Sequence, residues 1–102
     1  MNYGFLQLKD LLPKAVGSYG MTREVRAALV RDRARKAVRN LWGDDITEIK
    51  PMFFKDGILM IECSDSAWGQ EVFMKKQKLI ELIEENVTLK GSVKDVKTRI
   101  KG

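Results

Sequence analysis

Leu41–Glu71, LWGDDITEIKPMFFKDGILMIECSDSAWGQE, reads as a β-hairpin followed by a helix. Asp56-Gly57 is a dipeptide that accepts positive φ at both turn positions, and apolar runs flank it, so it predicts a two-residue turn between antiparallel strands. The turn sets a register in which Lys55 faces Ile58, Phe54 faces Leu59, Phe53 faces Met60, Met52 faces Ile61, Pro51 faces Glu62 and Lys50 faces Cys63. Met52, Phe54, Leu59, Ile61 and Cys63 then form the core face. Pro51, Phe53, Lys55, Ile58, Met60 and Glu62 form the other. Pro51 lacks an amide donor and is expected on an edge strand or at a bulge. Phe53, Ile58 and Met60 are large apolar groups on the second face. Unless a helix covers them, they make a candidate surface for a protein partner or for self-association.

Working outward, Ser64, Asp65 and Ser66 offer N-caps for a helix that begins near Ala67. Trp68, Val72, Leu79 and Ile83 fall on one side of it, Trp68 as a core anchor in the first turn, with Phe73, Ile80 and Leu82 close by. Lys75-Lys76-Gln77-Lys78 is polar all round, which marks a point where the helix can break into two. Gly91 ends the helical region. In SVKDVKTRIKG, Val96, Thr98 and Ile100 alternate with Asp95, Lys97 and Arg99, as in a strand with one wet face. Ahead of the hairpin, Thr22 caps a helix over residues 22–42, and FLQLKDLL predicts a short first helix over residues 5–13. The order α-α-β-β-α(α)-β makes residues 1–102 a single α+β domain, a three-stranded sheet with helices packed on one face.

The charge is unevenly distributed. The chain carries +5 overall, and the 22–42 helix alone holds Arg23, Arg26, Arg31, Arg33, Arg35, Lys36 and Arg39 against Glu24 and Asp32. That helix therefore accounts for the entire excess. At 100° per residue Ala27, Val30, Ala34, Ala37, Val38 and Leu41 form an apolar stripe, with Arg31, Arg35 and Arg39 in a row beside it. Arg33 and Lys36 lie on the flanks. Such a row is either a solvated face or a track for a polyanion, and its confinement to one element favours neither over the other. Lys75, Lys76 and Lys78 form a second basic cluster. Gly17-Ser18-Tyr19-Gly20 matches the GxxG of a phosphate-clamping loop, but an ordinary linker has the same composition.

Other chemistries are excluded by inventory. With no histidine and a single cysteine, the chain can build neither a structural zinc site nor a Ser-His-Asp triad. Asp44-Asp45 suits a turn after a helix better than acid–base work. No Walker A or GxGxxG sequence occurs. The expectation is a non-enzymatic protein without metal or cofactor. With no apolar span, no export signal and one core cysteine, its expected place is the cytoplasm.

Leu41-Trp42-Gly43, Ile46, Pro51, Gly57, Leu59, Ile61, Ser66-Ala67-Trp68 and Gln70-Glu71, followed by a leucine-rich helix, resemble the DciA family over roughly residues 20–100. Departures occur at Val38, where the family commonly has an aromatic, and at Ile49, where it often has histidine. Ile58 and Met60 are also less polar than usual. The resemblance implies a KH-like domain without a functional GxxG loop, with Lys75, Lys76 and Lys78 where a KH loop would lie. It further implies a bacterial replication factor that assists loading of the replicative helicase onto single-stranded DNA. Single-stranded DNA, favoured over RNA, and the helicase are then the expected partners, with a homodimer open and no membrane. The alternatives are a KH-like RNA-binding module and a protein-interaction or dimerisation domain.

Overall fold

A computed structural model describes residues 22–101, so the expected helix over 5–13 and the Gly17–Gly20 motif lie outside the described residues. Helix α1 spans Arg23–Trp42. Thr22 caps it by accepting a hydrogen bond from the Val25 N–H at 3.1 Å, and Glu24 adds negative charge at the positive end of the helix. It stops at Gly43, whose φ of 104° suits a residue without Cβ and whose N–H donates to the Arg39 carbonyl at 2.8 Å. Asp44 and Asp45 form the exposed turn that follows.

Strand β1 is Ile49–Lys55 and β2 is Ile58–Cys63. The turn between them has positive φ at both central residues, 53° at Asp56 and 84° at Gly57, as a twist-compatible hairpin requires. Near the turn the register is the predicted one, pairing Lys55 with Ile58, Phe54 with Leu59 and Phe53 with Met60. Beyond Phe53 it differs. Pro51 pairs with Ile61, Lys50 with Glu62 and Ile49 with Cys63, leaving Met52 as the extra residue of a bulge. The bulge reverses the predicted faces of the strand's first half: Ile49 and Pro51 are buried, while Lys50 is exposed and Met52 only half-buried. A straight register would have put a lysine inside and an isoleucine outside, and burying an unpaired ammonium is far costlier than one unpaired residue in the ladder.

Helix α2, Ser66–Met74, is capped by Asp65, which accepts from the Trp68 N–H at 3.0 Å. Lys75 interrupts the helical run as expected, and α3 continues over Lys76–Ile83. A 3₁₀ turn at Val87–Leu89 leads to β3, Asp95–Ile100, which pairs parallel to β2. The sheet order β1-β2-β3 puts β2 in the centre and leaves two edges. From residue 22 the order is αββααβ.

All helices contribute to one core. Val30, Ala34, Ala37 and Val38 of α1 meet Leu59, Ile61 and Cys63 of β2, Val72 of α2, and Leu79 and Ile83 of α3. On β2 every second residue is buried, the pattern of a sheet covered on one face. Burial pushes the Cys63 thiol up, and the nearby carboxylates Asp65 and Glu62 add to the effect. Three expectations are corrected here. Phe73 turns away from the core and is 64% exposed. Trp68 is half-buried at the core margin rather than enclosed. On β3 only Val96 is buried; Thr98 and Ile100 are exposed, although their side chains reach Gly69 of α2.

Candidate nucleic-acid interface

The basic row is one flank of α1, and each step of four residues turns it about 40° further around the helix axis. That drift grades its exposure. Arg31 is half-buried, with its Nε enclosed and without a hydrogen-bond partner, whereas Arg35 and Arg39 reach solvent. Packing of α1 on β1 sets this flank against the sheet edge. A groove of about 530 Å³ results, with Arg35, Val38 and Arg39 as one wall and Ile46–Thr47 with Ile49–Met52 as the other. Val38, Ile46 and Ile49 are among its apolar lining, and its charged lining is Arg35, Arg39 and Lys50, with no carboxylate. None of these three has a carboxylate within ion-pairing distance among the described residues.

The remaining candidate cations lie elsewhere. Arg33 is on the opposite flank, where its guanidinium donates to the Leu82 carbonyl at 3.4 Å and lies 4.0 Å from Glu85. Lys36 pairs with Asp32 at 3.4 Å, one turn back. The structure thus divides the helix's charge between two faces instead of presenting five cations together. At the helix break Lys75 is exposed, and Lys78 lies 4.0 Å from Glu81. Lys76 is engaged twice: its ammonium donates to Asp95 at 2.9 Å and sits 5.1 Å from the Phe73 ring centroid. The ammonium holds the Asp95 carboxyl below the usual carboxylate range, with the Val96 N–H contributing next.

Sequence reasoning missed Lys50, which joins the groove only because the Met52 bulge turns it out of the core. The signal was present in the conflict between its predicted core-side parity and its charge. The proposed partner patch falls on the outer sheet face. Phe53 is 45% exposed there, and Ile58 and Met60 are half-buried between the neighbouring strands.

Fold and surface together define a small α+β domain with the chemistry of a binding module: a carboxylate-free cationic groove, and no acid, cysteine or histidine cluster able to hold a metal among the described residues. No described helix is long and apolar enough to cross a membrane. Residues 7–98 match the family described as Dna[CI] antecedent, DciA, and the chain belongs to the DciA family. Membership suggests a helicase-loader-type role in replication, with the replicative helicase as the interacting protein, and the family is one of loaders and adaptors rather than catalysts. No curated protein matches the chain.

Proposed function

We propose that this protein is a non-enzymatic adaptor that holds single-stranded DNA in the groove between α1 and β1 while the replicative helicase is loaded. The observation that carries the reading is the convergence of Arg35, Arg39 and Lys50 on one groove without a carboxylate. A phosphate chain would meet three cations there, none of them in an ion pair among the described residues, with Lys50 opposite Glu62 in the ladder. A KH-like arrangement is part of the same reading. It is supported by the αββααβ order, by the parallel β2–β3 pair and by the helix break at Lys75. Affinity would be sequence-independent, because phosphate contacts position a strand without reading its bases.

Neutralising about three phosphates of a single strand gives a slope of log affinity against log salt near −2, from roughly 0.7 per phosphate. Changing Arg35, Arg39 and Lys50 to glutamate should lower both affinity and slope, with little effect on folding, because exposed charges contribute little to stability. Reversal of Lys75 and Lys78 is the comparison. An unchanged slope in the first variant and a reduced one in the second would move the DNA to the helix break. Competition between RNA and DNA of equal length separates the KH-like RNA-binding alternative. Absence of any shift at low salt would leave a protein-interaction domain.

A further inference from the structure

The second sheet edge has its own chemistry. Asp95 N–H donates to the Gly57 carbonyl at 3.2 Å and Lys101 N–H to the Cys63 carbonyl at 2.8 Å, so odd-numbered residues of β3 turn their backbone toward β2. In a parallel ladder the even-numbered residues then turn theirs outward. Val96 N–H is satisfied by the Asp95 carboxylate at 2.8 Å. By this parity, and among the described residues, the amides and carbonyls of Thr98 and Ile100 have no backbone partner, and residues 97–101 are all exposed. Edges of this kind accept another strand unless something blunts them. β1 is blunted by Pro51 and the bulge, whereas β3 has neither.

Two features select the occupant. Beside the edge, on the helix side, a cleft of about 320 Å³ runs between α2 and β3; Val72, Phe73, Val96 and Thr98 line it, and the Lys76–Asp95 ion pair and Lys97 complete the lining. Exposed Phe73 and Ile100, 64% and 47% accessible, flank this side of the edge. On the opposite sheet face Lys97, Arg99 and Lys101 follow one another at alternate positions. Arg99 is held by Glu62 at 3.5 Å and Lys97 acts electrostatically on Asp95 at the head of the row, while neither Lys97 nor Lys101 forms an ion pair among the described residues. A second copy laid edge to edge would set this cationic row against itself, and like charges across a strand pair are destabilising.

We propose that the open edge of β3 takes an extended acidic segment of a partner protein as a fourth strand. Its alternate residues are apolar toward the Phe73 cleft and carboxylates toward Lys97 and Lys101, with backbone bonds to Thr98 and Ile100. The surface is separate from the α1–β1 groove and does not depend on DNA binding there.

The test uses the whole chain and a blocked ten-residue peptide of alternating valine and glutamate. Binding should shift the Thr98 and Ile100 amide resonances and slow their hydrogen exchange. Lys97→Glu with Lys101→Glu should weaken the peptide about tenfold and favour a valine–lysine peptide instead. Methylating the peptide amides that face β3 should abolish binding without any change to the protein. Equal binding of the two peptides, or shifts confined to other residues, would overturn the proposal. So would a single-stranded oligonucleotide that moves Thr98 and Ile100 when the peptide does not. Sedimentation of the free chain as a dimer dissociated by the double charge reversal would assign the edge to a second copy and equally defeat it.

Discussion

Asp95 shows how one side chain carries several tasks. Its carboxylate accepts from Lys76 and from the Val96 N–H, binding the start of β3 to the start of α3. Because these bonds favour the ionised form, its pKa is lowered in the folded chain. The resulting stabilisation is present above the unfolded value near pH 4 and is lost as pH falls through the folded value. Asp95→Asn should therefore flatten the acid side of a plot of urea midpoint against pH, leaving the alkaline side unchanged. A variant that keeps the full acid-side slope would show that other carboxylates carry it. Trp68 makes a different kind of contribution, from the margin of the core. Full burial of an aromatic is worth about 3–5 kcal/mol on truncation. Half-buried, with the Asp65 cap untouched by the change, Trp68→Ala should cost about 2 kcal/mol in urea unfolding. A loss of less than roughly 0.5 kcal/mol would mean that the indole packs on nothing of consequence.

At the scale of the element, β1 gives the sharpest contrast. Met52 stands outside the pairing, so deleting it leaves each observed pair between β1 and β2 in place. Deleting Lys50 with the bulge retained moves Ile49 opposite Glu62, on the outer face, and brings Glu48 opposite Cys63, where its carboxylate meets the core. The Met52 deletion should melt within a few degrees of the parent. The Lys50 deletion should melt lower by well over 5 °C, since about 1 kcal/mol corresponds to roughly 4–8 °C in a domain of this size. Equal melting points would mean that the Lys50 deletion re-registers without a bulge, with Met52 opposite Ile61 and Ile49 still opposite Cys63. The strand also shows where periodicity stops being sufficient. Residues 53–55 could be placed from the Asp56-Gly57 turn alone, because turn geometry fixes nearby register. Residues 49–51 could not, because a bulge is a property of two strands and the packing above them.

For the whole molecule, the sheet separates the candidate surfaces by face and edge. The helices occupy one face, the cationic groove follows the β1 edge, and Phe53, Ile58 and Met60 lie on the opposite face. That apolar set is the proposed contact for the helicase or for a second copy. Ile58→Lys with Met60→Lys should weaken capture of the helicase in a pull-down while leaving the circular dichroism spectrum intact. Loss of the spectrum would show instead that this face is part of the core. Run with and without single-stranded DNA, the same pull-down tests whether groove and face act together.

Much was determined locally. The hairpin turn followed from two residues that tolerate positive φ, the helix starts from Thr22 and Asp65, and the buried face of β2 from strict alternation. Each depends on neighbours within a few residues, so the chain alone specifies it. A helical wheel likewise placed Arg31, Arg35 and Arg39 on one flank of α1. It could not say what stands opposite that flank. The Met52 bulge and the packing of α1 across β1 together brought Lys50 to Arg35 and Arg39, the same packing sent Arg33 toward Leu82, and the path of α2 left Phe73 exposed. Those outcomes depend on angles between elements distant in sequence, which the burial of the shared core sets and no local periodicity encodes.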